Sequence, residues 1–182
     1  MAHQFTTSHV ADSLSVFRLY KKLAEGALAQ VDDANLYVQF DEASNSIAII
    51  MKHVAGNMRS RWTDFLTTDG EKPDRDRDSE FVEAPLARAA LMAVWEDGWN
   101  RVFAALSGLT DEDLGRTVTI RGEPHSVTQA INRQIAHYAY HVGQIVFLAK
   151  HFKGEQWKSL TIPRNRSADF NRRVDAGEAS QR

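Results

Sequence analysis

The sequence predicts an all-α protein built as a four-helix bundle, and three observations predict it. Four long runs carry apolar residues at three- and four-residue spacing, the recurrence of a single helical face. Only one short stretch, Thr117-Val-Thr-Ile-Arg121, alternates apolar and polar residues as a strand does. No internal repeat or second composition regime divides the 182 residues, so they are expected to form one domain, with a core from about residue 8 to 153 and a tail from 154 to 182. A chain of that length buries a core without covalent staples.

Ser8 is the expected N-cap of the first helix, Val10 to about Gln30, whose inner face reads Val10, Leu14, Phe17, Tyr20, Leu23, Ala24 and Leu28. Residues 31–45 carry turn chemistry in Asp-Asp-Ala-Asn and Asp-Glu-Ala-Ser-Asn. Ser46 then caps a second helix to about Leu66, burying Ile47, Ile50, Met51, Val54, Met58, Trp62 and Phe65. From Thr67 to Pro85, alternating acids and arginines lack apolar residues to bury, and a solvated loop is expected. Pro85 suits the first turn of a third helix ending near Leu106, with Gly108 after it and a single turn capped by Thr110. The strand-like run, Gly122-Glu-Pro124 and a very short second arm at 125–127 make a small hairpin before the last long helix, which runs from Ser126 to Phe152. Beyond Gly154, Ser167 is expected to cap one short helix in a frayed end.

Composition excludes several functions. The chain has no cysteine, which removes a Cys-zinc site, a thiol nucleophile and a redox pair from consideration; any thiol chemistry must use a thiol brought by another molecule. Twenty-two basic against 24 acidic side chains give a formal net charge of -2, so the whole-molecule field favours neither nucleic acid nor an anionic membrane. No signal-peptide pattern and no apolar span of bilayer length appear, and a soluble cytoplasmic protein is expected.

Chemistry concentrates in Gln134-Ile-Ala-His137-Tyr-Ala-Tyr-His141-Val-Gly-Gln144. Residues four apart lie one above the other on a helix, so the two imidazoles stand within reach of one ion. His53 is the other histidine set among apolar neighbours of a helical run, and the three are expected to meet around a divalent metal, zinc or nickel before others. The zincin pattern is absent because Tyr138 stands where that motif has a glutamate, and no Glu-x-x-His pair suggests a di-iron bundle. Asn57 and Arg61, one and two turns beyond His53, either orient a bound ligand or form a solvent edge; with Gln144 they are the candidate substrate-positioning residues. Gln134 is either a partner of the histidines or an ordinary polar residue of the bundle. His3, His9, His125 and His151 read as surface residues, Trp62, Trp95, Trp99, Tyr138 and Tyr140 as core or pocket wall, and Arg164, Arg166, Arg172 and Arg173 as solvated.

The histidine in Lys52-His53-Val-Ala-Gly56-Asn57, paired with His137-x-x-x-His141-x-x-Gln144, resembles the DinB/YfiT-like superfamily over nearly the whole chain. The tail Trp157-Lys-Ser-Leu-Thr-Ile-Pro163, with residues 167–171, is similar to one uncharacterised branch of it. The resemblance implies up-down-down-up helix order, a divalent metal on three histidines, and homodimers. It also implies metal-dependent transferases or isomerases that use a low-molecular-weight thiol such as mycothiol, bacillithiol or glutathione. The expected function is therefore metal-dependent thiol transfer on a small molecule, with hydrolysis as a variant. The alternative is a non-catalytic dimeric stress-related protein whose metal is structural.

Overall fold

The computed structural model describes residues 5–82 and 86–180. His3 and the expected Pro85 start of the third helix lie outside them. The described residues are mostly helical: α1 (His9–Leu28), α2 (Ile47–Trp62), α3 (Arg88–Ser107), α4 (Val127–Lys153) and α5 (Ser167–Asp175), with one antiparallel hairpin among them, β1 (Thr117–Ile120) and β2 (Glu123–Ser126). Among the described residues no helix is long and apolar enough to cross a membrane.

The helix starts follow their caps. Ser8 Oγ accepts from Ala11 N, Ser46 Oγ from Ile49 N, and Ser126 forms a reciprocal box with Gln129 at the head of α4. Ser167 begins α5 rather than capping it, since Arg166 holds the cap position without a side-chain bond. The second helix stops at Trp62, four residues short of the expected Leu66. It ends at Thr63, which turns extended at a ψ of 126° and whose hydroxyl donates to Arg59 O at 2.7 Å, and Asp64 follows with a left-handed φ of 48°.

α1 packs on α4 and α3, and α2 packs on α3 and α4, around one core. At its centre Phe17, Trp62, Trp99 and Tyr138 meet edge-on or tilted, with ring centroids 5.6–6.3 Å apart. α2 is enclosed on nearly every side, 13 of its 16 residues being buried, and this takes His53, Asn57 and Arg61 out of water along with its apolar face. Tyr140, expected in the core or a pocket wall, is 64 % exposed because it lies on the outer side of α4. His9, expected at the surface, opens α1 with its Nε2 buried.

The hairpin turns through Arg121 and Gly122, both at positive φ, the geometry that suits the right-handed twist of two strands. Residues 67–82, expected to be a solvated loop, are instead stitched to α2 and to this hairpin. Gly70 N donates to Thr119 O at 2.7 Å, Ser60 Oγ donates to Gly70 O at 2.8 Å, and Asp69 accepts the backbone N–H groups of Glu71, Arg121 and Gly122. The segment ends in a short 3-10 turn, Asp78–Phe81, packed on α2.

Candidate metal centre

His137 and His141 stand one turn apart on α4, and His53 faces them from α2. Nε2 of His137 lies 3.3 Å from Nε2 of His53 and 3.1 Å from Nε2 of His141, and one nitrogen from each ring falls within 4.8 Å of the other two. Nitrogens about 2.0–2.1 Å from a tetrahedral zinc lie roughly 3.4 Å apart, so the spacing suits a common ion. Burial deepens from the centre outward, with His53 at 5 % and His141 at 8 % exposure and His137 half-buried.

The outer nitrogens decide what the inner ones can be. His53 Nδ1 lies 2.8 Å from Glu80 Oε2, and His141 Nδ1 lies 2.8 Å from Gln144 Oε1. Both partners are acceptors, so each Nδ1 carries a proton, and in the neutral form of each ring Nε2 turns a lone pair inward. Burial pushes the Glu80 carboxyl up, but hydrogen bonds from His53 and Arg75 outweigh it and keep the group below its ordinary range, ionised and able to accept. Burial also pushes His141 down, and it pushes His137 down to about 3, with the neighbouring His141 and His53 adding to the shift. With those two rings neutral, two lone pairs converge with the His137 ring, whose Nδ1 is buried without a hydrogen-bond partner among the described residues. One proton on His137 Nε2 satisfies one of those lone pairs and leaves the other facing nothing. A cation satisfies all three, and the trio can hold a metal ion.

The remaining candidates surround the trio. Gln144 accepts from His141 and fixes its ring. Asn57 Oδ1 accepts from the Tyr138 hydroxyl at 3.1 Å, which itself accepts from Trp62 Nε1 at 2.9 Å; burial raises the phenol pKa, so the hydroxyl stays protonated and can donate. Arg61 is buried and turned to the loop, pairing with Glu71 at 2.9 Å and donating to Gly70 O. Gln134 is buried, its Oε1 without a hydrogen-bond partner among the described residues, beside a small void that it shares with Arg61, Trp62 and Ile120. His125 lies against Glu123 O at 3.0 Å, and His151 packs against Phe40.

Sequence reasoning missed Glu80, Arg75 and Phe81. Arg75 grips both oxygens of Glu80 at 2.8 and 2.9 Å, its own side chain 6 % exposed, and the Phe81 ring lies 4.6 Å from the His53 ring. The available signal was Gly56, a residue that weakens a helix interior and so marks a close approach.

A family model described as "Protein of unknown function (DUF1572)" matches residues 4–166. No curated protein matches the chain.

Proposed function

The chain belongs to the DUF1572 family, and from that premise we propose that it is a metal-dependent enzyme acting on a small molecule, with transfer of a low-molecular-weight thiol as the preferred reaction and hydrolysis as the variant. The observation that carries the reading is the convergence of three imidazoles from two helices, two of them held at Nδ1 by acceptors. His53, His137 and His141 are the proposed ligands, and zinc or nickel the proposed ion. Held by three protein nitrogens, a divalent ion would keep room for one more ligand, and there it would lower the pKa of a thiol or water and so supply a nucleophile near neutral pH. The chain needs this help, having no cysteine of its own. Its residues hold the three rings in place, and Asn57, Arg61 and Gln144 hold the side chains around them.

The neighbour pattern, α1 on α4 and α3 with α2 on α3 and α4, supports a four-helix bundle in up-down-down-up order. Together with the histidine motif it supports placing the family within the DinB/YfiT-like superfamily, and the proposed homodimer follows from that resemblance alone. A structural metal in a non-catalytic stress-related protein is the second reading, favoured by the depth of His53 and His141.

Elemental analysis of protein purified without an affinity tag tests the centre. Wild-type protein is expected to hold about one equivalent of zinc or nickel and His137→Ala to hold almost none; equal metal in both removes the basis of the reading. A panel of thiols and electrophiles then separates the two functions. Thiol-dependent turnover lost on chelation supports the enzyme, whereas a lowered Tm with no turnover supports the structural role.

A further inference from the structure

We infer that Glu80 is a positioning residue of the three-histidine centre, and that Arg75 and Gly56 serve to set it. The inference rests on the metal reading above and deepens it. It begins from a difference among the rings. His137 and His141 share one helix, which fixes their spacing, whereas His53 comes from another and must be aimed separately. Rotation about an imidazole's outer torsion is broad, so an external bond is needed to choose which nitrogen faces inward.

Glu80 makes that bond from a separate segment. Its Oε2 lies 2.8 Å from His53 Nδ1 and also accepts from Arg75 Nη2 at 2.9 Å, while Oε1 accepts from Arg75 Nε at 2.8 Å. The carboxylate is thus held in a two-toothed grip and can move little. Arg75 is steadied in turn by Glu71 at 3.3 Å.

Gly56 supplies the space. A Cβ there would stand 2.3 Å from Glu80 Oε1 and 2.8 Å from its Cδ, so any side chain displaces the carboxylate. The Phe81 ring, tilted 35° to the His53 ring, closes the opposite freedom and limits its swing. Three features separated in sequence, a helix glycine, a loop arginine and an aromatic ring, therefore serve one hydrogen bond.

A carboxylate behind a ligating histidine fixes the tautomer and makes the inward nitrogen a stronger donor to the ion. The competing account is that Glu80 merely neutralises Arg75 in a buried pair. That account predicts a change in stability on substitution and none in metal binding.

The test is zinc affinity of the full chain, by competition with a chromophoric chelator, beside the visible spectrum of the cobalt(II)-loaded protein. Glu80→Gln is expected to bind zinc about 10- to 100-fold more weakly and to shift the cobalt bands, with an unchanged far-UV circular dichroism spectrum. Gly56→Ala is expected to weaken binding in the same direction although it removes no polar group, and it carries the test if Glu80→Gln does not fold. Arg75→Lys keeps the charge but loses the fork, and an intermediate loss is expected. Affinity within twofold of wild type in both Glu80→Gln and Gly56→Ala overturns the inference and leaves the metal centre standing. Wild-type protein that takes up no zinc overturns both.

Discussion

Residues 67–82 and 164–180 are both rich in Asp, Glu and Arg, yet the first stretch buries charge and the second leaves it in water. In the first, Glu71 joins Arg61 and Arg75, and Glu80 joins Arg75 and His53, with the side chains of Arg61, Arg75 and Glu80 all below 10 % exposure. In the second, Asp169 pairs with Arg166 and Arg172 one turn away on or beside its own short helix, and none of the residues 164–180 is buried. Composition is the same in kind. What separates the two is how far the network reaches: the loop's charges pair with one another and also with His53 and Arg61 on α2 and Arg121 of the hairpin, whereas the tail's ion pairs stay within the tail. A charge-rich segment becomes structure when a distant element presents it with something to neutralise.

Substitution is the strongest way to break that comparison. Arg75→Ala strips Glu80 of its counter-ion inside the protein and is expected to cost about 3–5 kcal/mol, whereas Arg172→Ala, 71 % exposed, is expected to change stability by under about 0.5 kcal/mol. Urea unfolding measures both, and similar costs would erase the distinction.

Acid titration of the metal-free protein sharpens it. His137 is depressed from 6.5 to about 3 when folded, so between those values the unfolded chain binds the extra proton, and stability falls as pH drops below about 6.5. Glu80 is depressed below 4.5, so its contribution is present above that value and is lost as pH falls through its folded pKa. Thermal melts from pH 8 to 4 are expected to show the first decline. The profile should keep its shape in a chain ending at residue 163, and a profile that depends on the tail would contradict the assignment. The smallest effect is the truncation itself, expected to move the unfolding free energy at neutral pH by under about 0.5 kcal/mol.

The three histidines were legible in the sequence because spacing alone places two of them, and the third is the only other one embedded in an apolar helical run. Gln144 was legible for the same reason, lying three residues beyond His141. Glu80 was not. Its neighbours alternate in charge without a period, and its burial depends on Gly56 and His53, which lie 24 and 27 positions earlier. The end of α2 was misread because Phe65 and Leu66 continue the apolar period while the backbone leaves the helix at Thr63, which is extended, and turns left-handed at Asp64. Tyr140 was misread because aromatic residues are usually buried, and periodicity does not say how wide a helix's covered face is.

The chain of hydrogen bonds from Trp62 through Tyr138 to Asn57 has a consequence for how α2 and α4 sit against each other. Tyr138 adjoins His137, and Asn57 lies one turn from His53, so this polar thread runs beside the imidazoles and joins the same two helices. If one helix slid past the other by a single turn, about 5.4 Å, an indole N–H, a phenol and an amide oxygen would be stranded away from water. Mutual alignment of the two helices is thereby fixed by neutral groups that run beside the imidazoles.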